Sequence, residues 1–288
     1  MNLFNIIDEI EKVDPEIHER LNPRRAAIKN ITSFGSKVAM AAMPFALGTM
    51  FKKAYGATAD TATVIGVLNY ALTLEYLEAG FYNTGASTAG LIPASQATYI
   101  GQIKNDENLH VTFLQGVIKS LGGTPVTAPT VDYTGGNGKG GGPFPTVFSN
   151  YGTFLAVAQV FEDTGVRAYK GQAPVLIGNQ VVLTAALGIH AVEARHASAV
   201  RKLRNDIANG ASATPTIKPY IVSTATLGND TGVAAANGNY AGEENVTQGG
   251  VNLVSALGVS VGVATASFDE PLSKDDVLKL LVGSFIVS

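Results

Sequence analysis

Two copies of one short pattern constrain this chain more than any other feature: Glu107-x-x-His110 and Glu193-x-x-His196. At helical pitch the i, i+3 spacing puts carboxylate and imidazole on one face, a turn apart, so each copy can chelate one metal ion. The copies belong to a longer repeat. Glu107 and Glu193 are 86 residues apart, while Glu75 and Glu162, and likewise Tyr82 and Tyr169, are 87 apart. The helices carrying the first set therefore read as a copy of those carrying the second. The repeat also separates two neighbouring glutamates. Glu75 shifts onto Glu162 and keeps a tyrosine seven residues later, whereas Glu78 shifts onto Gly165. Glu75 is the expected ligand, and Glu78, one turn away, is held in reserve.

Apolar periodicity predicts four helices, over residues 60–83, from after Pro93 to Leu121, over 151–171, and from Pro174 to about Ala208. Their inward faces are Leu68, Leu72, Glu75, Ala79 and Tyr82; Ile103, Glu107, His110 and Leu114; Leu155, Glu162, Val166 and Tyr169; and Ile189, Glu193, His196 and Val200. Gly122-Gly123 reads as a helix stop. Residues 124–150 are rich in proline and glycine and read as a long connection; with no preceding strand and no Gly-Lys-Ser/Thr, a phosphate-binding loop is disfavoured. Short first and third connections with one long crossover between the second and third helices give an all-α core, a ferritin-like four-helix bundle.

The ligand set follows from cost. Four carboxylates buried together without cations would repel one another and lose several kcal/mol each in desolvation, or would have to take up protons. The chain has no cysteine, which excludes thiolate zinc sites, iron–sulfur clusters and disulfides, and its four histidines are at 18, 110, 190 and 196. The expected centre is two divalent ions, iron or manganese, held by Glu75, Glu107, His110, Glu162, Glu193 and His196. Glu78, Tyr82, Tyr169 and His190 are the candidates for supporting roles; the tyrosines could hydrogen-bond ligand carboxylates or simply pack, and His190 reads as a rim residue. Asp106, Asp163, Arg167 and Arg195 adjoin the motifs but read as pointing around their helices, solvated or pairing beside the site.

The stretches Asn69-Tyr70-Ala71-Leu72-Thr73-Leu74-Glu75-Tyr76-Leu77-Glu78, Phe161-Glu162-Asp163-Thr164-Gly165 and Ala191-Val192-Glu193-Ala194-Arg195-His196-Ala197 resemble the bacterial ferritin-like domain family that includes desiccation-related proteins. The tail segments Gly242-Glu243-Glu244-Asn245-Val246-Thr247-Gln248 and Phe268-Asp269-Glu270-Pro271-Leu272 are also similar to members of it. The six ligands suit a diiron or dimanganese oxidoreductase of ferroxidase, peroxidase or catalase-like type, acting on a small oxidant or a metal ion. The alternative is a structural or assembly protein whose metals are staples or vestiges; storage in a hollow shell is disfavoured by the length of leader and tail.

Three parts are expected: a helical leader (1–58), the bundle (59–208), and a wrapping tail (209–288) rich in Gly, Ala, Thr and Val. In the tail, Val251 to Val263 reads as strands or extended chain, and 273–285 as a last short helix capped by Ser273. Arg24-Arg25 ahead of the apolar run from Val38 to Phe51 resembles a twin-arginine export signal, which would make the protein periplasmic or extracellular; an amphipathic helix docked on the bundle would leave it cytoplasmic. That run falls short of the roughly 20 residues of a stable membrane span. Charged residues are only 15% of the chain, against roughly 25% in an average soluble domain, and net charge is −3. This balance disfavours nucleic acid as a partner and favours self-association.

Overall fold

The computed structural model describes residues 60–209, 217–221 and 234–288. The leader expected over 1–58, with its twin-arginine-like segment, lies outside the described residues. Four long helices form the bundle: α1 Thr61–Ser87, α2 Ala97–Ser120, α3 Tyr151–Gln172 and α4 Gln180–Asn209. Local signals set their ends. The Asp60 carboxylate accepts from the Ala62 backbone N–H at the start of α1, and the Asn150 side chain does the same for Thr153 at the start of α3. At the end of α2, Gly122 adopts φ +82°, which lets its N–H reach Lys119 and that of Gly123 reach Ile118, satisfying two carbonyls the helix leaves open.

α1 packs along α2 and α3 along α4, and α1 meets α3 across the bundle. The long crossover, 121–150, joins α2 to α3, so the chain has the expected all-α, ferritin-like topology. Two boundaries differ from expectation. α1 continues to Ser87, and α4 begins at Gln180, because Pro174 lies in a separate 3-10 turn, Ala173–Leu176. Leu176 in that turn is buried against Val182 and Ile189, so the turn closes one end of the bundle.

The core falls into two apolar layers. One gathers Val64, Leu68, Leu72, Leu114, Val117, Val182 and Ile189; the other gathers Phe81, Phe154, Phe161, Val200 and Leu203, with Phe81 stacked on Phe154 at 4.6 Å. Between them lie the glutamates of all four helices, each fully buried. The inward polar residues thus form one slab, closed to water on both sides.

The described part of the tail contains little strand. Thr247–Gln248 (β1) pairs antiparallel with Val251–Asn252 (β2), and the apolar run expected to be extended instead forms two short helices, Leu253–Leu257 (α5) and Val261–Ala266 (α6). Asn252 and Ser260 cap them, and such side-chain caps favour helix starts over continued strand. Lys274–Leu281 (α7) is the expected last helix, capped by Ser273. Beyond it the chain is sewn to the crossover: Asp132 donates to Phe285, Asn137 to Ser284 and Val287 to Thr130 through backbone hydrogen bonds. Among the described residues no helix is long and apolar enough to cross a membrane.

Candidate metal centre

The six residues singled out by the repeat converge in the slab. Ligand atoms of Glu75, Glu107, His110 and Glu193 lie within 4.8 Å of one another, as do those of Glu107, Glu162, Glu193 and His196. Two neighbouring four-residue groups result, and Glu107 and Glu193 belong to both. The pattern follows from the helix positions: α1 and α3 each contribute one glutamate from opposite sides, while α2 and α4 each contribute a Glu-x-x-His pair.

His110 Nδ1 sits 3.2 Å from Glu75 Oε2, from Glu107 Oε2 and from Glu193 Oε1. One ring N–H cannot serve three carboxylates. Across the centre, His196 Nδ1 lies 2.7 Å from Glu107 Oε1 and 3.3 Å from Glu162 Oε2, yet makes no hydrogen bond, and Glu107 Oε1, Glu162 Oε2 and both oxygens of Glu193 are likewise buried without a partner. Buried polar atoms are ordinarily satisfied. So many orphaned acceptors around two points is what a cation site presents, and a donor set of carboxylate oxygen and imidazole nitrogen fits a hard or borderline divalent metal.

Electrostatics support the same reading. Burial pushes Glu107 up to about 7, only partly offset by the two histidines beside it, and raises Glu193 and Glu78 well above the usual carboxylate range, with neighbouring carboxylates adding to the shift. Burial opposes charge on the histidines, but the carboxylates prevail, pushing His196 up to about 12 and raising His110 as well. Without metal, the slab lowers its charge by holding protons.

Tyr82 and Tyr169 are tied to the centre, and they cross. The Tyr82 hydroxyl on α1 donates to Glu162 of α3, and the Tyr169 hydroxyl on α3 donates to Glu75 of α1 at 2.5 Å. Burial, reinforced by those carboxylates, raises both phenols well above their ordinary range, so they remain donors. This exchange fixes one oxygen of each outer glutamate.

Glu78 is buried beside the cage but belongs to neither group. A Cβ on Gly165, its counterpart in the repeat, would lie 3.3 Å from both Glu78 Oε1 and Glu193 Oε2, so glycine there makes room for the additional carboxylate. His190 is a rim residue, as expected: its Nδ1–H donates to the Val166 carbonyl at 3.0 Å. Asp106 accepts from His196 Nε2 at 3.1 Å while Gln102 donates to its other oxygen at 2.8 Å, which fixes the ring with Nδ1 facing the glutamates. Asp106→Ala is expected to lower metal affinity by about 10–100-fold without lowering the final stoichiometry; titration of metal-free protein checks this, and unchanged affinity would remove Asp106 from the site.

Asp163 and Arg167 correct the sequence reading, since neither is solvated and neither pairs with the buried glutamates of the slab. Arg201 holds Asp163 through two hydrogen bonds of 2.6 Å, and Tyr240 donates to the same carboxylate. Arg167 pairs with Glu243 at 2.9 Å and donates to the carbonyls of Ala241 and Glu270. Both are 1% exposed. They clamp the tail onto the outer face of α3. Arg195 is exposed, as expected.

Residues 63–206, half of the chain, match the ferritin-like domain family. The chain belongs to that family. A search of the curated proteins finds no sequence that matches. The region matched in this ferritin-like protein runs through α1 to α4 and contains every residue of the candidate centre.

Proposed function

We propose that this ferritin-like protein is a dinuclear iron or manganese oxidoreductase acting on dioxygen, peroxide or ferrous iron, with Glu75, Glu107, His110, Glu162, Glu193 and His196 as the ligands. The observation that carries this is the pair of four-residue groups sharing Glu107 and Glu193. A shared pair of carboxylates is what holding two cations side by side requires. Two such ions, when bound, supply electrons in pairs to a small oxidant. The protein's own part is positional. Glu107 and Glu193 would neutralise both ions, Glu75 and Glu162 would each hold one of them, and His110 and His196 would complete the two groups. Tyr82 and Tyr169 orient the outer carboxylates and hold phenolic protons against them. The apolar layers above and below keep bulk water out, which strengthens each charge interaction in the slab.

The test is to load metal-free protein anaerobically with Fe(II) or Mn(II) and then mix it with dioxygen or peroxide. Oxidation of about two ions per chain, at least 10-fold faster than the free ion in the same buffer, is expected. Tight binding with no acceleration by either oxidant would refute the enzyme reading. That outcome would favour an assembly protein, a reading supported by exposed Val251, Leu257, Val261 and Val263, a stretch of tail suited to contact with another copy.

A further inference from the structure

Between the metal slab and the 3-10 turn that closes the bundle lies a small cavity of about 20 Å³. Leu68, Ala71, Leu114, Tyr169, Ala186 and Ile189 are among the residues of its wall. It is one helical turn from the ligands on three helices: Ala71 precedes Glu75, Leu114 follows His110, and Ile189 precedes Glu193. Tyr169 separates the cavity from the slab, and its hydroxyl is the one that donates to Glu75.

We propose that this cavity is a binding site for a diatomic apolar gas, dioxygen, which it holds against Tyr169 beside the metal centre. The inference deepens the proposed function by choosing among its substrates. Size is the first argument. A space of this volume, on the order of one to two water-sized spheres, takes a single diatomic molecule, and a hydrocarbon chain or a hydrated metal ion is too large. Chemistry is the second. An apolar cavity stays dry because an entering molecule must give up its hydrogen bonds. Water and peroxide lose them there, whereas dioxygen has none to lose. Position is the third: residues of all four helices line this apolar space, one turn from Glu75, His110 and Glu193.

Xenon, an apolar probe of similar size, tests the site on full-length protein prepared without metal, so the result does not depend on the metal reading. One xenon per chain between Ala71, Ala186 and Ile189 is expected in a pressurised crystal, with a matching saturable shift in xenon NMR. Ala186→Val and, separately, Ala71→Val should each remove the xenon. In Fe(II)-loaded protein they should slow oxidation by dioxygen about 10-fold or more while leaving oxidation by peroxide within about 2-fold of the parent. Absence of xenon from the parent, or dioxygen oxidation at the parent rate in both folded filled variants, overturns the proposal. Failure of the parent to bind metal would instead overturn the proposed function, and the xenon measurement would still read the cavity on its own.

Discussion

Glu107→Gln/Glu193→Gln is expected to abolish metal binding and, in the metal-free state, to give a protein more stable at pH 8 than its parent. Both glutamates belong to both ligand groups, so their loss leaves Glu75 and His110 on one side and Glu162 and His196 on the other, too few donors to hold an ion. The stability gain comes from the cost of the carboxylates themselves. In the metal-free parent Glu107 titrates near 7 and Glu193 higher than an ordinary carboxylate, because burial favours their protonated forms. A carboxyl whose folded value is raised stabilises the fold fully below its unfolded value, and this contribution is lost as pH rises through the folded value. The histidines act in the same direction: their raised values give stability that is complete below the ordinary imidazole range and is lost as pH climbs through the folded value. Metal-free parent should therefore weaken from about pH 4.5 upward through 7, and the amide variant should be flatter and melt at least about 5 °C higher at pH 8. Metal reverses the slope, since its binding displaces protons and strengthens as pH rises. Melting curves with and without metal at pH 5 and 8, beside elemental analysis, check all of this. Two ions per chain retained by the variant would refute the ligand assignment.

The second large effect is expected at the tail clamp. Arg201→Met leaves Asp163 buried with no cation, and removing one partner of a buried pair costs about 3–5 kcal/mol. For a chain of this size that corresponds to a melting temperature roughly 10 °C lower. Adding Asp163→Asn should restore part of the loss, because the stranded charge is then gone while Tyr240 keeps its acceptor. Calorimetry of the single and double variants reads the coupling directly. Equal melting temperatures for parent and Arg201→Met would show that this buried pair between α4 and α3 adds nothing to the stability of the fold.

The bundle and the centre were legible because they repeat. Periodicity located α1 to α4 to within a few residues except at the start of α4, where Pro174 looked like a helix start but belongs to the 3-10 turn. The internal repeat favours Glu75 over Glu78, and of the two Glu75 is the one that lies in a group able to hold a metal ion. Asp163 and Arg167 were misread for an opposite reason. Their partners Tyr240 and Glu243 are more than seventy residues away, in a segment with no periodicity, so nothing near them in sequence announces their burial. Asp106 was in view as a neighbour of Glu107, but its bond to His196 needed α2 and α4 to be placed side by side. The tail misled through composition: Val-rich sequence suits strands, yet the caps at Asn252 and Ser260 decided for short helices.

The crossing of the two tyrosines carries a consequence for how such a molecule could arise. Tyr82 serves the glutamate of the second hairpin and Tyr169 that of the first, and each ligand group draws on both hairpins. Neither hairpin holds a finished cage. A half-length chain of this design would have to pair with a second copy to assemble either group, and joining two copies in one chain makes that encounter permanent. It also freed the halves to diverge: Glu78 faces Gly165, and Asp106 corresponds to Val192, so two positions that began as equals no longer need to behave alike.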